Sequence, residues 1–364
     1  MKQIRTVDAV GHVLCHDMTQ IIPGKYKGPV FKKGHIVTQE DIPVLLSIGK
    51  ENLYVWEKTD GILHEDEAAQ ILRDLAIGPH MTASVPSEGK IELRAACDGL
   101  FKVNRKALLT INSTPQMMIA TRFGSTPVKA GDKLAGTRII PLVIEKEKMD
   151  DLTARTQAVP GGAPIMEVRP YVHKKVGIVT TGSEVYKERI EDKFTPVLLK
   201  KLEEFDVEIV GHETTDDDDR MTTAAISKLL DAGADIVLCT GGMSVDPDDR
   251  TPLAIRNTGA QIVTYGAPVL PGAMFLLAYL PASGSGQPDG VVAGRQTPVS
   301  SHPPRVICGL PGCVMYAKRT IFDLLIPRIM ADDPIRPEEI QALGEGGLCL
   351  GCGTCTWPNC GFGK

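Results

Sequence analysis

From residue 174 to about 331, short apolar runs alternate with segments that are amphipathic at helical spacing, and this alternation restricts the fold more than anything else in the 364-residue chain. Residues 176–180, 207–210, 235–239, 261–263 and 305–308 are strand-like, and the apolar run at 273–280 also fits a buried strand. Between them, residues 195–205 place Val197, Leu198, Leu202 and Phe205 on one face. Residues 219–232 run from a cap at Asp218 or Asp219 to a stop at Gly233, and 251–257 form a short helix. A last helix is expected to start beside Gly312 and continue to about residue 326. Strands and helices in turn predict an α/β fold, an open and mostly parallel sheet with helices on both faces. Right-handed crossovers then bring the loops that follow the strands to one edge. Residues 281–304, rich in Gly, Ser, Pro and Gln, interrupt the order and read as an inserted loop.

Three of the strand ends share a chemistry. They are Thr181-Gly182-Ser183-Glu184, Gly241-Gly242-Met243-Ser244 and Leu310-Pro311-Gly312. Glycine lets backbone approach a ligand, and successive N–H groups make a concavity for an anion. In the third loop, the expected helix start adds its dipole. Thr-Gly-Gly is also a common strand-ending turn, so one such loop says little. Three in one domain predict a site for a phosphorylated ligand, with Thr181, Gly182, Ser183, Glu184, Gly241, Gly242, Ser244, Pro311 and Gly312 as its candidate residues. Two acidic segments flank them, residues 216–219 and 246–249. Carboxylates repel a phosphate unless a cation stands between, and Mg²⁺ takes carboxylate, water and phosphate oxygens together. Asp216 and Asp249 are the candidate Mg²⁺ ligands and catalytic residues, whereas Asp217 and Asp218 are read as structural, with Asp218 or Asp219 capping the following helix.

The rest of the chain is less regular. Residues 1–60 read as an α+β segment, with a helix starting near Asp41, Ile42 and Leu45 inward, and Gly49 as its stop. Residues 61–158 read as one helix, at 62–77, followed by a small β-rich domain, and 159–173 as a linker. The net charge of −5 argues against a nucleic-acid partner, since a phosphate backbone calls for clustered Lys and Arg. No apolar run reaches the length of a membrane span and no signal core follows the N-terminus, so a cytoplasmic location is expected.

Residues 332–364 form a cysteine-rich tail. Cys349-x2-Cys352-x2-Cys355-x4-Cys360 gives four thiolates within twelve residues, a pattern that suits an iron–sulfur cluster or a tetrahedral Zn²⁺. Free thiols on a loose tail are the plain alternative.

Taken in order, the loops resemble the molybdopterin-binding domain of molybdopterin adenylyltransferases and molybdenumtransferases. The matching elements are Thr181-Gly182-Ser183-Glu184, Asp216 or Asp217 after the next strand, Gly241-Gly242-Met243-Ser244, Asp249-Arg250-Thr251-Pro252 and Leu310-Pro311-Gly312. The resemblance implies that the glycine loops hold the terminal phosphate of molybdopterin and its adenylate. It further implies that the acidic residues bind Mg²⁺, and that molybdate is inserted with release of AMP. Lys187 and Arg250 lie near the loops and are candidates to meet an oxyanion. By the same resemblance the partners are pterin and molybdate, and the chain is a homo-oligomer. The Pro-Pro-Phe-Asp-type segment and the C-terminal β domain of the molybdenumtransferases are missing. Two further readings therefore stay open: a carrier or sensor of molybdopterin without chemistry, and a nucleotide-processing enzyme built on a related domain.

Overall fold

The computed structural model describes residues 2–55, 60–244, 246, 249–280 and 304–364. The predicted insertion, apart from Pro304, lies outside them, as do Trp56 and Asp248. Two compact units are present: residues 1–97, 102–124 and 130–168 in one, residues 98–101, 125–129 and 169–364 in the other.

The second unit is built on a six-stranded sheet. Its strands are β1 (Lys174–Thr181), β2 (Val207–Thr215), β3 (Ile236–Thr240), β4 (Gln261–Tyr265), β5 (Leu276–Leu280) and β6 (Arg305–Leu310). They lie in the order β2-β1-β3-β6-β5-β4. The first three pairings are parallel and the last two antiparallel, so the sheet is mostly parallel. The helices are α1 (Ser183–Tyr186), α2 (Phe194–Leu202), α3 (Asp219–Asp231), α4 (Thr251–Asn257), α5 (Ile321–Met330) and α6 (Pro337–Gln341).

Strand periodicity explains why both faces are covered. Val176 and Ile178 of β1, with Ile236 and Leu238 of β3, pack on Leu198, Phe322 and Leu325 from α2 and α5. Val179, Val237 and Cys239 point the other way and meet Ile226, Leu229 and Ile255 from α3 and α4. Side chains alternate across a strand, so a central strand with helices on both sides must be apolar throughout. At Gly177 the helix comes close: a Cβ there would lie 2.9 Å from the Leu229 side chain. Burial of Cys239 and Cys308 pushes their thiols far up, to about 12 for Cys239, so both behave as small apolar residues.

One helix start differs from the expectation. A four-residue 3-10 turn, Gly312–Met315, follows β6, and α5 begins only at Ile321. Thr320 and Asp323 form a reciprocal capping box there, which fixes the N-terminus nine residues beyond Gly312. The dipole expected beside Pro311 and Gly312 is therefore not supplied by this helix.

The first unit holds a four-stranded antiparallel sheet in the order Met81–Ala83, Lys90–Ala95, Lys133–Ile139, Met117–Thr121. The helix Glu65–Ala76 packs on it, capped by His64, which accepts from Asp66 N. Two further helices, Arg105–Asn112 and Lys146–Ala158, stand where only strands were expected. Asn104 caps the first by accepting from Ala107 N. The second buries only Met149, Leu152 and Thr156, a stripe narrow enough to escape notice. The predicted linker also contains a strand, Met166–Pro170. At the N-terminus, Lys2–Arg5 pairs with Asn52–Val55, Met18–Ile22 forms a hairpin with Tyr26–Phe31, and the helix is Asp41–Ser47.

Candidate functional site

Four parallel neighbours, β2, β1, β3 and β6, end on one edge of the sheet. The register pairs Thr181 with Thr215, Thr180 with Thr240 and Thr240 with Leu310. The three glycine-bearing loops and the Asp216 segment thus leave the sheet side by side, where open α/β sheets bind ligands.

Threonines make the floor. Thr181 Oγ1 donates to Thr240 O at 3.1 Å and lies 3.3 Å from Thr251 Oγ1, which in turn donates to Gly241 O at 2.9 Å. Thr251 N also donates to Gly242 O. These bonds tie the first loop, the Gly-Gly loop and the start of α4 into one piece. Gly241 has φ +82°, and a Cβ on it would lie 2.2 Å from Thr181 O, so no other residue fits. The loop is anchored from below by Met243, buried against Gly309.

A cavity of about 510 Å³ opens on this floor, lined by Thr180, Thr181, Asp192, Thr240, Gly241 and Met315 among others. Thr240 is fully buried and its hydroxyl has no hydrogen-bond partner among the described residues. A buried, unpaired hydroxyl costs about 1–3 kcal/mol, and Thr240 is also one of the residues that line this cavity.

The opposite wall was not anticipated from sequence. Asp192 Oδ2 accepts from Thr195 Oγ1 at 2.5 Å and Thr180 Oγ1 at 3.2 Å, while Oδ1 accepts from Phe194 N and Thr195 N. Burial opposes ionisation of Asp192, but these donors together hold its carboxyl below the usual range. His212 Nε2 lies 2.9 Å from Thr180 Oγ1 and 3.6 Å from Asp192 Oδ2. The one available signal was Asp-x-x-Thr at 192–195, a local side-chain-to-backbone pattern.

The acidic residues divide. Asp217 Oδ2 accepts from Ser183 N at 2.9 Å and so sets the first loop. Asp218 caps α3 through Met221 N. Asp219 meets Arg250 at 3.4 Å and Asn257 at 3.2 Å. Asp216 pairs with Lys187 at 3.0 Å and accepts from Asp217 N, and the Lys187 bond holds its carboxyl below the usual range. Asp249 is part-buried and accepts from Asp246 N at 3.1 Å. Among the described residues, no three His, Cys, Asp or Glu side chains converge as a cage for a single ion. Thr181, Gly241 and Gly242 come together at the floor, whereas Gly182 N is bonded to Thr215 O and Ser183 N to Asp217. Glu184 and Ser244 are exposed, and Pro311 and Gly312 leave β6 at the same edge.

The tail packs on the α/β unit rather than standing apart from it. Phe362 is buried in the core cluster of α5, with Trp357, Cys349 and Cys360 packed beside it. Cys349 N donates to Leu270 O and Leu270 N to Gly347 O, both at 2.8 Å. Arg319 lies 4.5 Å over the Trp357 ring while paired with Asp323 and Glu204.

Residues 177–331 match the family described as a probable molybdopterin binding domain, and this segment belongs to it. Residues 3–57 match a domain of unknown function. A molybdopterin molybdenumtransferase of Synechococcus elongatus is 24% identical over 173 residues, 43% of this chain and 41% of that protein. A CinA-like protein of Mycobacterium avium is 31% identical over 93 residues, 25% of this chain and 21% of that one. The chain thus spans less than half the length of these relatives. Among solved structures, a tungsten-cofactor-synthesising protein of Pyrococcus furiosus is 19% identical, with a TM-score of 0.30, covering 39% of this chain and 84% of that one. No helix among the described residues is long and apolar enough to cross a membrane.

Proposed function

We propose that the α/β unit binds molybdopterin at the edge formed by β2, β1, β3 and β6, and that the chain acts in molybdenum-cofactor biosynthesis as a molybdenumtransferase-like enzyme. The observation that carries the reading is the Thr180–Thr181–Thr240–Gly241 floor with its unpartnered, fully buried Thr240 hydroxyl. The membership of residues 177–331 supports the same ligand.

In this reading the Gly241-Gly242 backbone and the Thr240 hydroxyl hold the phosphate of the adenylated pterin, on a floor that Thr181 ties together. Asp217 holds Ser183 N and so keeps the Gly182 loop in place. Mg²⁺ binds through one or two carboxylates plus phosphate oxygens and waters, so it needs no protein cage of its own. Asp249 supplies one carboxylate, and Asp216 supplies a second only on leaving Lys187. Bound Mg²⁺ would offset the charge of two meeting anions while molybdate enters the dithiolene and AMP leaves. The released Lys187 ammonium would then face the incoming oxyanion. The four thiolates of the tail would hold an iron–sulfur cluster or zinc. We place the protein in the cytoplasm as a homo-oligomer, with pterin and molybdate as its small-molecule partners.

The Lys187–Asp216 pair favours one alternative, a binding protein without turnover, because it neutralises half of the carboxylate pair. Turnover decides between them. Purified chain given adenylated molybdopterin, molybdate and Mg²⁺ should release AMP; tight binding without release sinks the transferase reading. Asp249→Ala should lower release at least ten-fold, and intact binding and release in both Asp249→Ala and Asp216→Ala removes them from the site.

A further inference from the structure

We infer that the C-terminal tail holds a four-iron cubane iron–sulfur cluster rather than a zinc ion, at a site separate from the sheet edge. The inference rests on the metal reading of the four cysteines and adds which metal they take. Cys349, Cys352, Cys355 and Cys360 all line a single cavity of about 510 Å³, with Leu348, Leu350 and Trp357 in its walls.

Size and spacing separate the two metals. A structural zinc draws four ligands to about 2.3 Å from one point. Such sites are assembled from ligand pairs with a longer spacer between them. Here three cysteines follow one another at x2 spacing on one loop, the arrangement by which a cubane cluster is gripped from one side. The fourth comes four residues later, after Trp357 and Pro358. All four cysteines line the same cavity, so one bound group can meet the whole set. A cavity of about 510 Å³ has room for a multi-iron core, whereas a single ion would leave most of it empty.

The surroundings suit a buried anion with one open side. A cubane cluster with four thiolates carries net negative charge. Lys318 Nζ stands at the loop, donating to Gly353 O at 2.6 Å and Cys352 O at 3.4 Å. Lys364 Nζ donates to Pro358 O at 2.5 Å, and Arg319 lies over Trp357. The base of the loop is closed by Gly363 N donating to Gly346 O at 2.9 Å, and by Phe362 in the core. Cys349 and Cys360 are half-buried at that base, whereas Cys352 and Cys355 are exposed. The seat is therefore fixed by the α/β unit and its outer lip faces solvent, where electrons and oxygen both have access.

The full chain, purified anaerobically, tests this. We expect about four irons and four acid-labile sulfides per chain, with a brown absorbance that bleaches on dithionite and an electron-paramagnetic signal in the reduced sample. Apoprotein given ferric iron, sulfide and a thiol reductant should regain both even when zinc is added. Cys352→Ser and Cys355→Ser lie on the exposed lip, so circular dichroism should stay unchanged while iron falls below one per chain. Thr240→Val, at the sheet edge, should keep its iron in full. One zinc per chain without iron overturns the cluster but keeps a metal site. No metal, with all four thiols open to alkylation, overturns both. Iron at two per chain overturns the cubane form.

Discussion

Thr240→Val separates a ligand-binding hydroxyl from a structural one, because the two roles predict opposite signs. Thr240 ends β3, is fully buried, and its Oγ1 has no partner among the described residues. Valine keeps the β-branched shape and the strand preference. It removes an unsatisfied hydroxyl whose burial costs about 1–3 kcal/mol. The ligand-free variant should therefore be more stable than the parent by about 1 kcal/mol, a rise in Tm of roughly 2–4 °C. Binding should move the other way. A hydrogen bond to a charged acceptor such as phosphate contributes about 1.5–3 kcal/mol. Its loss weakens the pterin roughly ten- to hundred-fold. Calorimetric unfolding without ligand, and anaerobic titration with molybdopterin, measure the two effects independently. A variant that is less stable and binds as tightly as the parent would refute the reasoning, since the hydroxyl would then have an internal partner and no role toward a ligand.

Gly241→Ala places a methyl 2.2 Å from Thr181 O at φ +82°, so the floor must shift. The left-handed conformation alone costs about 1–2 kcal/mol, and pterin titration should show binding lost while circular dichroism is retained. Arg328 is buried, bonded to Asp333 at 2.5 Å and Glu339 at 3.1 Å. Removing one partner of a buried pair costs about 3–5 kcal/mol; Arg169, at 2.9 Å from Asp333, puts Arg328→Ala near the lower end, and urea unfolding checks it. Glu65 is pushed up to about 7, chiefly by burial and next by Asp66. The folded protein holds this proton more tightly than the unfolded chain, so the stabilisation is complete below the ordinary carboxylate range and is lost as pH rises through about 7. Glu65→Gln should therefore exceed the parent by up to about 3 kcal/mol near pH 8, and the gap should close near pH 4. An unchanged difference across that range would count against burial as the cause.

The sheet and its glycine loops were legible because local pattern and tertiary demand agree there. Val176, Ile178 and Val179 are apolar because helices cover both faces of β1, and short loops leave few ways to order the strands. The two unexpected helices of the first unit mark where agreement fails. Strand-like runs and turn residues surround Arg105–Asn112, and only the Asn104 cap argues for it. Beyond β6, Gly312 looked like a helix start, but Thr320 and Asp323 satisfy each other's backbone donors, and Lys201 at 2.8 Å holds Asp323 in place from α2. That third partner is 122 residues away in the chain, so no window of sequence contains it. The same holds for the site. Thr181, Gly241 and Gly242 announce themselves by residue type, whereas Asp192, Thr195 and His212 matter only because β1 and β2 bring them to Thr180. The tail shows the converse. Its cysteines are plain in sequence, yet the seat they occupy depends on Leu270 pairing with Leu348 and on Phe362 reaching the α5 core. Spacing can name the ligands of such a site, and the packed base fixes where the loop that carries them sits.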